Sequence, residues 1–318
     1  MRLFGLLLIA CIGVSNTFGQ NREILGEYAI GIVGRDSEDI IYHAAYEGAK
    51  SAALDLSREH SIDIELLVDT PDRRRDGSQP GSLANLFAAE ADALIISPDD
   101  DPAVREALNF AKSEGQEVVF FQRQLSEQIA LASLLADERE AGRLAAKEML
   151  RLLPSTARIA ILTSVNPSQE EQDRLAGVRE VLGYRRIEAI VKTEADYQSA
   201  VQTIQETVNA DRENLIRGWI FLEDWPLLGM PSLPWRPKEI PVVAIQSSPS
   251  AFLYLDQGFV QALVVHPYFE WGYKSVEIAV GKLTNGERPD RPVIRLTPRV
   301  VDWRNVDDYR DDWKEWLR

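Results

Sequence analysis

Three acids in a row, Asp99, Asp100 and Asp101, and three histidines, His43, His60 and His266, are the residues whose types could hold a metal ion or move a proton. The acid run suggests a calcium loop, but the glycine turn and distal glutamate of an EF-hand do not follow it. Asp101, with Pro102 behind it, reads better as a helix N-cap. His60 falls near a helix end and His43 at a helix start, and neither has a second histidine at metal-ligand spacing. GxGxxG, P-loop, GxSxG and HExxH patterns are absent. Carboxylates are plentiful, yet no pair stands apart from an acidic surface. No catalytic constellation is visible in these residues. No enzyme, metal or cofactor is expected.

The elements that would position such groups alternate. From residue 28, buried-strand runs (28–33, 64–68, 93–97 and 118–121) are separated by helical patterns, the first over 42–59 with Ala45, Ala49, Ala52, Ala53 and Leu56 on one face. After about residue 136 the pattern restarts. Asp137 with Glu140 makes a capping-box-like start, and strands follow at 158–162, 187–191, 218–222, 241–245, 262–265 and 293–296, with a helix over about 268–283. Strand–helix alternation implies parallel sheets with helices on both faces, and two rounds of it imply two α/β lobes. Ligands of such sheets sit beyond the carboxyl ends of the strands. Three segments break the alternation. Residues 70–82 and the four-proline stretch 230–241 read as loops, and the tail from 302 carries Tyr309, Trp313 and Trp316 on one helical face. That tail is expected to pack on a lobe, with partner docking as the alternative.

The totals set the setting. The chain has 318 residues, 45% hydrophobic and 27% charged, with a formal charge of -15. So acidic a surface repels phosphate backbones and anionic lipid, so nucleic acid is not an expected partner. Arg2 followed by an apolar run over 3–14 reads as a secretory leader cut before Gln20, which places the mature protein in the periplasm. The alternative is a lipoprotein acylated at Cys11. Cys11 is the single cysteine. Once the leader is removed, no disulfide, thiolate metal site or cysteine nucleophile is possible.

The order of AIGIVGRDSEDIIYHAAYEGAKSAA, ADALIISPDDDPAVREALNFAKSEGQEVVFFQRQ, ADEREAGRLAAKEM, DRLAGVRE, GWIFLEDWPLLG and HPYFEWGYKSVE resembles the ribose-binding-protein group of periplasmic sugar-binding proteins, over about residues 28–297. The resemblance implies two doubly wound parallel-sheet lobes joined by a three-strand hinge, the type I periplasmic binding fold, which the core of lactose-repressor-type regulators shares. Crossings are expected near Leu135, His266 and Val293. The lobes would then be 26–135 plus 267–293, and 136–266 plus 294–318. It also implies capture of a sugar or polyol for an ABC permease or a membrane receptor, by a monomer. A binding-incompetent interaction module is the remaining reading. The family's pocket positions carry over onto Asp39, Tyr42 (with Ile41), Gln122, Arg123, Arg174, Glu223, Gln246 and His266. The two arginines keep the family's residue type, and Tyr42 keeps a ring at one of its two aromatic positions. Asp39 and Glu223 bring carboxylates where the family has amides, while Gln122 and Gln246 replace its acids. Trp225 and Trp235 are candidates for stacking on a sugar face.

Overall fold

The computed structural model describes residues 24–125, 128–245 and 248–317. The expected leader, with Cys11 and the cleavage site before Gln20, lies outside these residues, as does Gln246.

Short β-branched and aliphatic runs form the strands, and alanine-rich amphipathic stretches form the helices between them. The chain runs β1 (Glu27–Val33), α1 (Ile40–His60), β2 (Asp63–Val68), α2 (Gln79–Ala88), β3 (Ala93–Ile96), α3 (Pro102–Ser113), β4 (Glu117–Phe121) and β5 (Ala132–Ala136). It continues through α4 (Glu138–Leu152), β6 (Arg158–Ser164), α5 (Gln169–Leu182), β7 (Ile187–Thr193), α6 (Tyr197–Ala210), β8 (Ile216–Phe221), β9 (Val242–Ile245), α7 (Ala251–Asp256) and β10 (Ala262–Val265). The last elements are α8 (Tyr268–Asn285), β11 (Val293–Leu296), β12 (Arg299–Asp302) and α9 (Val306–Trp316).

Two six-stranded sheets result. The first has the order β2-β1-β3-β4-β5-β11 and is parallel throughout. The second has the order β7-β6-β8-β9-β10-β12, parallel except for the antiparallel β10–β12 edge. Both reverse their winding beside their first strand, so the same doubly wound plan is used twice. Central strands covered on both faces read as continuous apolar runs; all four residues of β3, β9 and β10 are buried.

The chain crosses between the sheets after β5, after β10 and between β11 and β12. The third crossing lies at 297–298, later than the expected Val293, because residues 293–296 pair in parallel with β5 and extend the first sheet. The loop expected over 70–82 is shorter than that: Ser78 caps α2 through Gly81 N, and Pro80 suits the helix's first turn. The strands β5 and β12 and the helix α7 were not apparent from the sequence pattern. Segment 230–241 holds no helix, and Trp235 within it stacks on the buried Trp219 (6.1 Å, 23°) as core.

The tail touches both lobes. Tyr309 of α9 meets Phe252 of α7 edge-on at 5.6 Å, on the second lobe. Trp313 packs on Tyr268 at 5.8 Å and Trp316 stacks on Phe269 at 6.1 Å, both at the start of α8 beside the second crossing. Trp313 is almost fully buried. Trp313→Ala is expected to lower stability by about 3–5 kcal/mol in urea unfolding. A loss below about 1 kcal/mol would show that α9 does not pack this way.

Candidate functional site

Six chain segments that leave strand ends converge between the two sheets. Ile41 follows β1, Gln122 and Arg123 follow β4, and Glu138 follows β5. Ser168 and Glu170 follow β6, Glu223 follows β8, and His266 follows β10. With Arg174, Tyr268 and Trp271 they line a recess of about 180 Å³. A larger cleft of about 570 Å³ adjoins it and shares Gln122, Arg123, Glu138, Ser168 and Glu170.

Arg174 is the centre of the recess and is 2% exposed. Its Nε donates to Glu138 Oε2 at 2.6 Å and its Nη2 to Glu138 Oε1 at 3.1 Å, a bidentate pair. Its Nη1 donates to Glu223 Oε1 at 2.5 Å and to the Leu222 carbonyl at 2.7 Å. The Glu138 Oε2 atom also shares a hydrogen bond with His266 Nε2 at 3.0 Å, and the His266 ring stacks on Trp271. A guanidinium this buried is tolerable only with such partners; removing one of them costs about 3–5 kcal/mol.

Backbone packing makes the meeting possible. Helices α4 and α5 cross at two glycines, Gly142 and Gly177. A methyl group at Gly142 would overlap the Arg174 carbonyl, and one at Gly177 the Arg139 carbonyl. The helices therefore approach closely enough for Glu138, at the start of α4, to reach Arg174 on α5. Asp137 caps α4 through Glu140 N (2.9 Å), which leaves the neighbouring Glu138 to face the recess. The start of α5 is fixed by a capping box between Ser168 and Glu171. The buried Glu171 also accepts from Ser164 N and from the hydroxyls of Thr163 and Ser164.

The two carboxylates on Arg174 behave differently. Burial alone would raise Glu138, but His266 and Arg174 outweigh it and hold Glu138 far below the ordinary carboxylate range. Burial likewise pushes Glu223 up to about 7; Arg174 opposes this, but the like charges of Glu171, Asp224 and Glu138 add to it. Burial would lower Arg174, and its two carboxylates instead raise it above its ordinary value.

On the first lobe, Gln122 has φ 63°, a left-handed conformation unusual for a side chain of this size, directly after β4. Ser97 Oγ donates to Gln122 Oε1 at 2.8 Å. Gln79 is buried beneath it, donating to the Gly34 and Ser97 carbonyls and accepting from Asp99 N. Arg123 is more exposed; partial burial, and then the nearby Arg35, draw its guanidinium below its ordinary value.

Of the eight residues carried over from the resemblance, Gln122, Arg123, Arg174, Glu223 and His266 come together here. Arg174 is buried within the second lobe. Asp39 and Tyr42 do not line the recess. Asp39 caps α1 by accepting from Ile41 N at 2.9 Å. Tyr42 turns into the first lobe's core against Gly34, where burial pushes its phenol up to about 12. The reason is helical phase: next to the cap it is Ile41, not Tyr42, that faces the cleft. Trp225 packs against the core and does not line the recess. The rings at the recess are instead Tyr268, Trp271 and His266. Glu138 was missed, although it directly follows a strand at the first crossing, because β5 itself was not recognised. The acid run is spent locally: Asp99 pairs with Arg35 and Arg73, Asp100 with Arg105, and Asp101 caps α3. Among the described residues, no group of three His, Cys, Asp or Glu side chains could hold a metal ion, and no helix is long and apolar enough to cross a membrane.

Two doubly wound lobes whose strand ends converge on one polar recess define a two-lobed ligand-binding protein. Residues 30–288 match the family model of the periplasmic binding protein domain, and the chain belongs to that family. A solved structure described as a periplasmic ribose ABC transporter, from Conexibacter woesei DSM 14684, superposes with a TM-score of 0.76 at 21% identity, covering 90% of this chain and 95% of that one. AraP, an arabinose-binding protein from Geobacillus stearothermophilus, gives 0.73 at 21% identity, covering 89% and 99%. At such identities the likeness shows the fold. Among curated proteins, the ribose import binding protein RbsB of Bacillus subtilis (strain 168) is 29% identical over 149 residues, and the match spans 46% of each chain.

Glu223 yields a pH signature. Its folded value of about 7 lies above its ordinary 4.5. Between those values the folded chain holds more protons than the unfolded one, so its contribution to stability falls as pH rises. Urea unfolding from pH 4.5 to 7 should show the wild type losing up to about 3 kcal/mol relative to Glu223→Gln. Parallel profiles would show that burial does not hold a proton on Glu223.

Proposed function

We propose that this protein captures a small polar ligand, a sugar or related polyol, between its two lobes outside the cytoplasm and delivers it to an ABC-type membrane permease, acting as a monomer without bond chemistry. The observation that carries the reading is the recess itself. A buried Arg174, fixed by Glu138 and Glu223, faces Gln122 and Arg123 of the other lobe across the strand ends. Such fixed planar groups can pair with hydroxyls in two dimensions, and charged partners strengthen each bond. The sugar-binding proteins of the same fold support the ligand class.

Capture works by closure. The three crossings let one lobe swing on the other, bringing Gln122 and Arg123 against a ligand already seated near Glu138 and Glu223. Closure removes water, which strengthens every polar contact and leaves a wrongly shaped ligand with unsatisfied groups. The N-terminal leader, export and the soluble periplasmic state belong to the same reading.

Thermal unfolding against pentoses, hexoses, sugar acids and polyols tests it. A ligand at 100 times its Kd should add about 2.7 kcal/mol of stability. Arg123→Ala, which leaves the buried Arg174 network intact, should weaken that ligand about tenfold or more. No stabilisation by any member of the panel would contradict a sugar ligand.

A further inference from the structure

The second-lobe side of the recess is rich in acceptors, while Gln122 and Arg123 supply donors from the first lobe. Among the described residues, Arg174 gives hydrogen bonds to Glu138, to Glu223 and to the Leu222 carbonyl. A guanidinium has five N–H groups, so Arg174 chiefly orients the carboxylates beside it. Glu223 Oε2, by contrast, accepts from no described residue, since its only bond is through Oε1. Glu170 likewise accepts from no described residue at the recess mouth, and only its field reaches Arg123. Three glutamates, 138, 170 and 223, face two arginines, 123 and 174.

Resting on the sugar-capture reading, we propose that the ligand is an amino sugar, a polyol carrying a protonated amine, with the ammonium held by Glu223 and its hydroxyls by the remaining groups. An ammonium has three donors and no acceptor, the complement of unsatisfied carboxylate oxygens. Trp271 adds an apolar wall: it lines the recess with its ring stacked on His266 and can pack against the carbon face of a sugar. A sugar acid would set a further carboxylate against Glu138, Glu170 and Glu223.

The field around Glu223 supports this reading. Burial, and then the like charges of Glu171, Asp224 and Glu138, outweigh Arg174 and hold Glu223 near about 7. The buried phenol of Tyr268 also lies within the reach of this field. An incoming cation supplies the missing positive charge, so Glu223 must release its proton as the ammonium arrives.

Calorimetric titration of the protein at pH 6.5, in phosphate and in ACES, compares glucosamine, galactosamine and mannosamine with glucose, galactose, mannose, glucuronate and galacturonate. At least one amino sugar should bind about tenfold tighter than its neutral counterpart, the increment of a charge-assisted bond. Its apparent enthalpy should differ between the buffers because a proton is released. Glu223→Gln, with its folding checked by thermal unfolding, should abolish both the preference and the proton release. A neutral sugar that binds as tightly as its amino counterpart, or a uronate that binds tightest, overturns the proposal and leaves sugar capture standing. Binding by none of them overturns the sugar reading as well.

Discussion

A guanidinium removed from water has to be answered by fixed negative charge, and much of the second lobe is organised around that requirement. Arg174 lies within the lobe rather than at its surface, and the free energy of placing it there depends on the ionised Glu138 and on the acceptor Oε1 of Glu223, at 2.5–3.1 Å. Glu138 comes from the first crossing and Glu223 from the end of β8, so the ion cluster ties together two places where the chain leaves a sheet. His266, at the second crossing, joins through Glu138. The electrostatic centre is also a structural centre of the hinge region.

Close helix packing is what permits that cluster. Gly142 and Gly177 bring α4 and α5 together, and the equivalent contact in the first lobe uses Gly48 of α1 and Gly272 of α8. The two lobes thus repeat a sheet order and a small-residue helix crossing. They differ in what they present at the strand ends. The first lobe offers Gln122 in a left-handed conformation, supported by Ser97 and Gln79. The second offers charge. The aromatic tail α9 lies against both lobes near the second crossing, so movement between them has to accommodate Trp313 and Trp316.

Much of this was legible in the sequence, for physical reasons. Fully buried parallel strands leave continuous apolar runs, so β3, β9 and β10 stood out. The strand β5 did not, because Ala132 and Ser133 at its start dilute the apolar signal, and with it the significance of Glu138 was lost. Short edge elements such as β12 and α7 have too few residues to establish a period. Positions carried over from the resemblance located five of the residues that line the recess. Asp39 and Tyr42 lie off its lining, where one residue of helical phase decides between cap, core and cleft. No pattern within the sequence shows that Arg174 has its donors occupied; that depends on which distant carboxylates the fold brings to it.

The central claim is that the lobes close on a ligand seated at Arg174. It is tested most directly by the distance between spin labels placed on exposed residues, one at Glu106 of the first lobe and one at Gln172 of the second. The only native cysteine is Cys11, so with that residue absent or replaced the labels can be placed uniquely. On adding the sugar that stabilises the protein most, the distance should shorten and its distribution narrow, and Arg123→Ala should weaken this response in proportion to its loss of affinity. A distance that stays unchanged while the ligand is bound would contradict closure and place the binding site elsewhere.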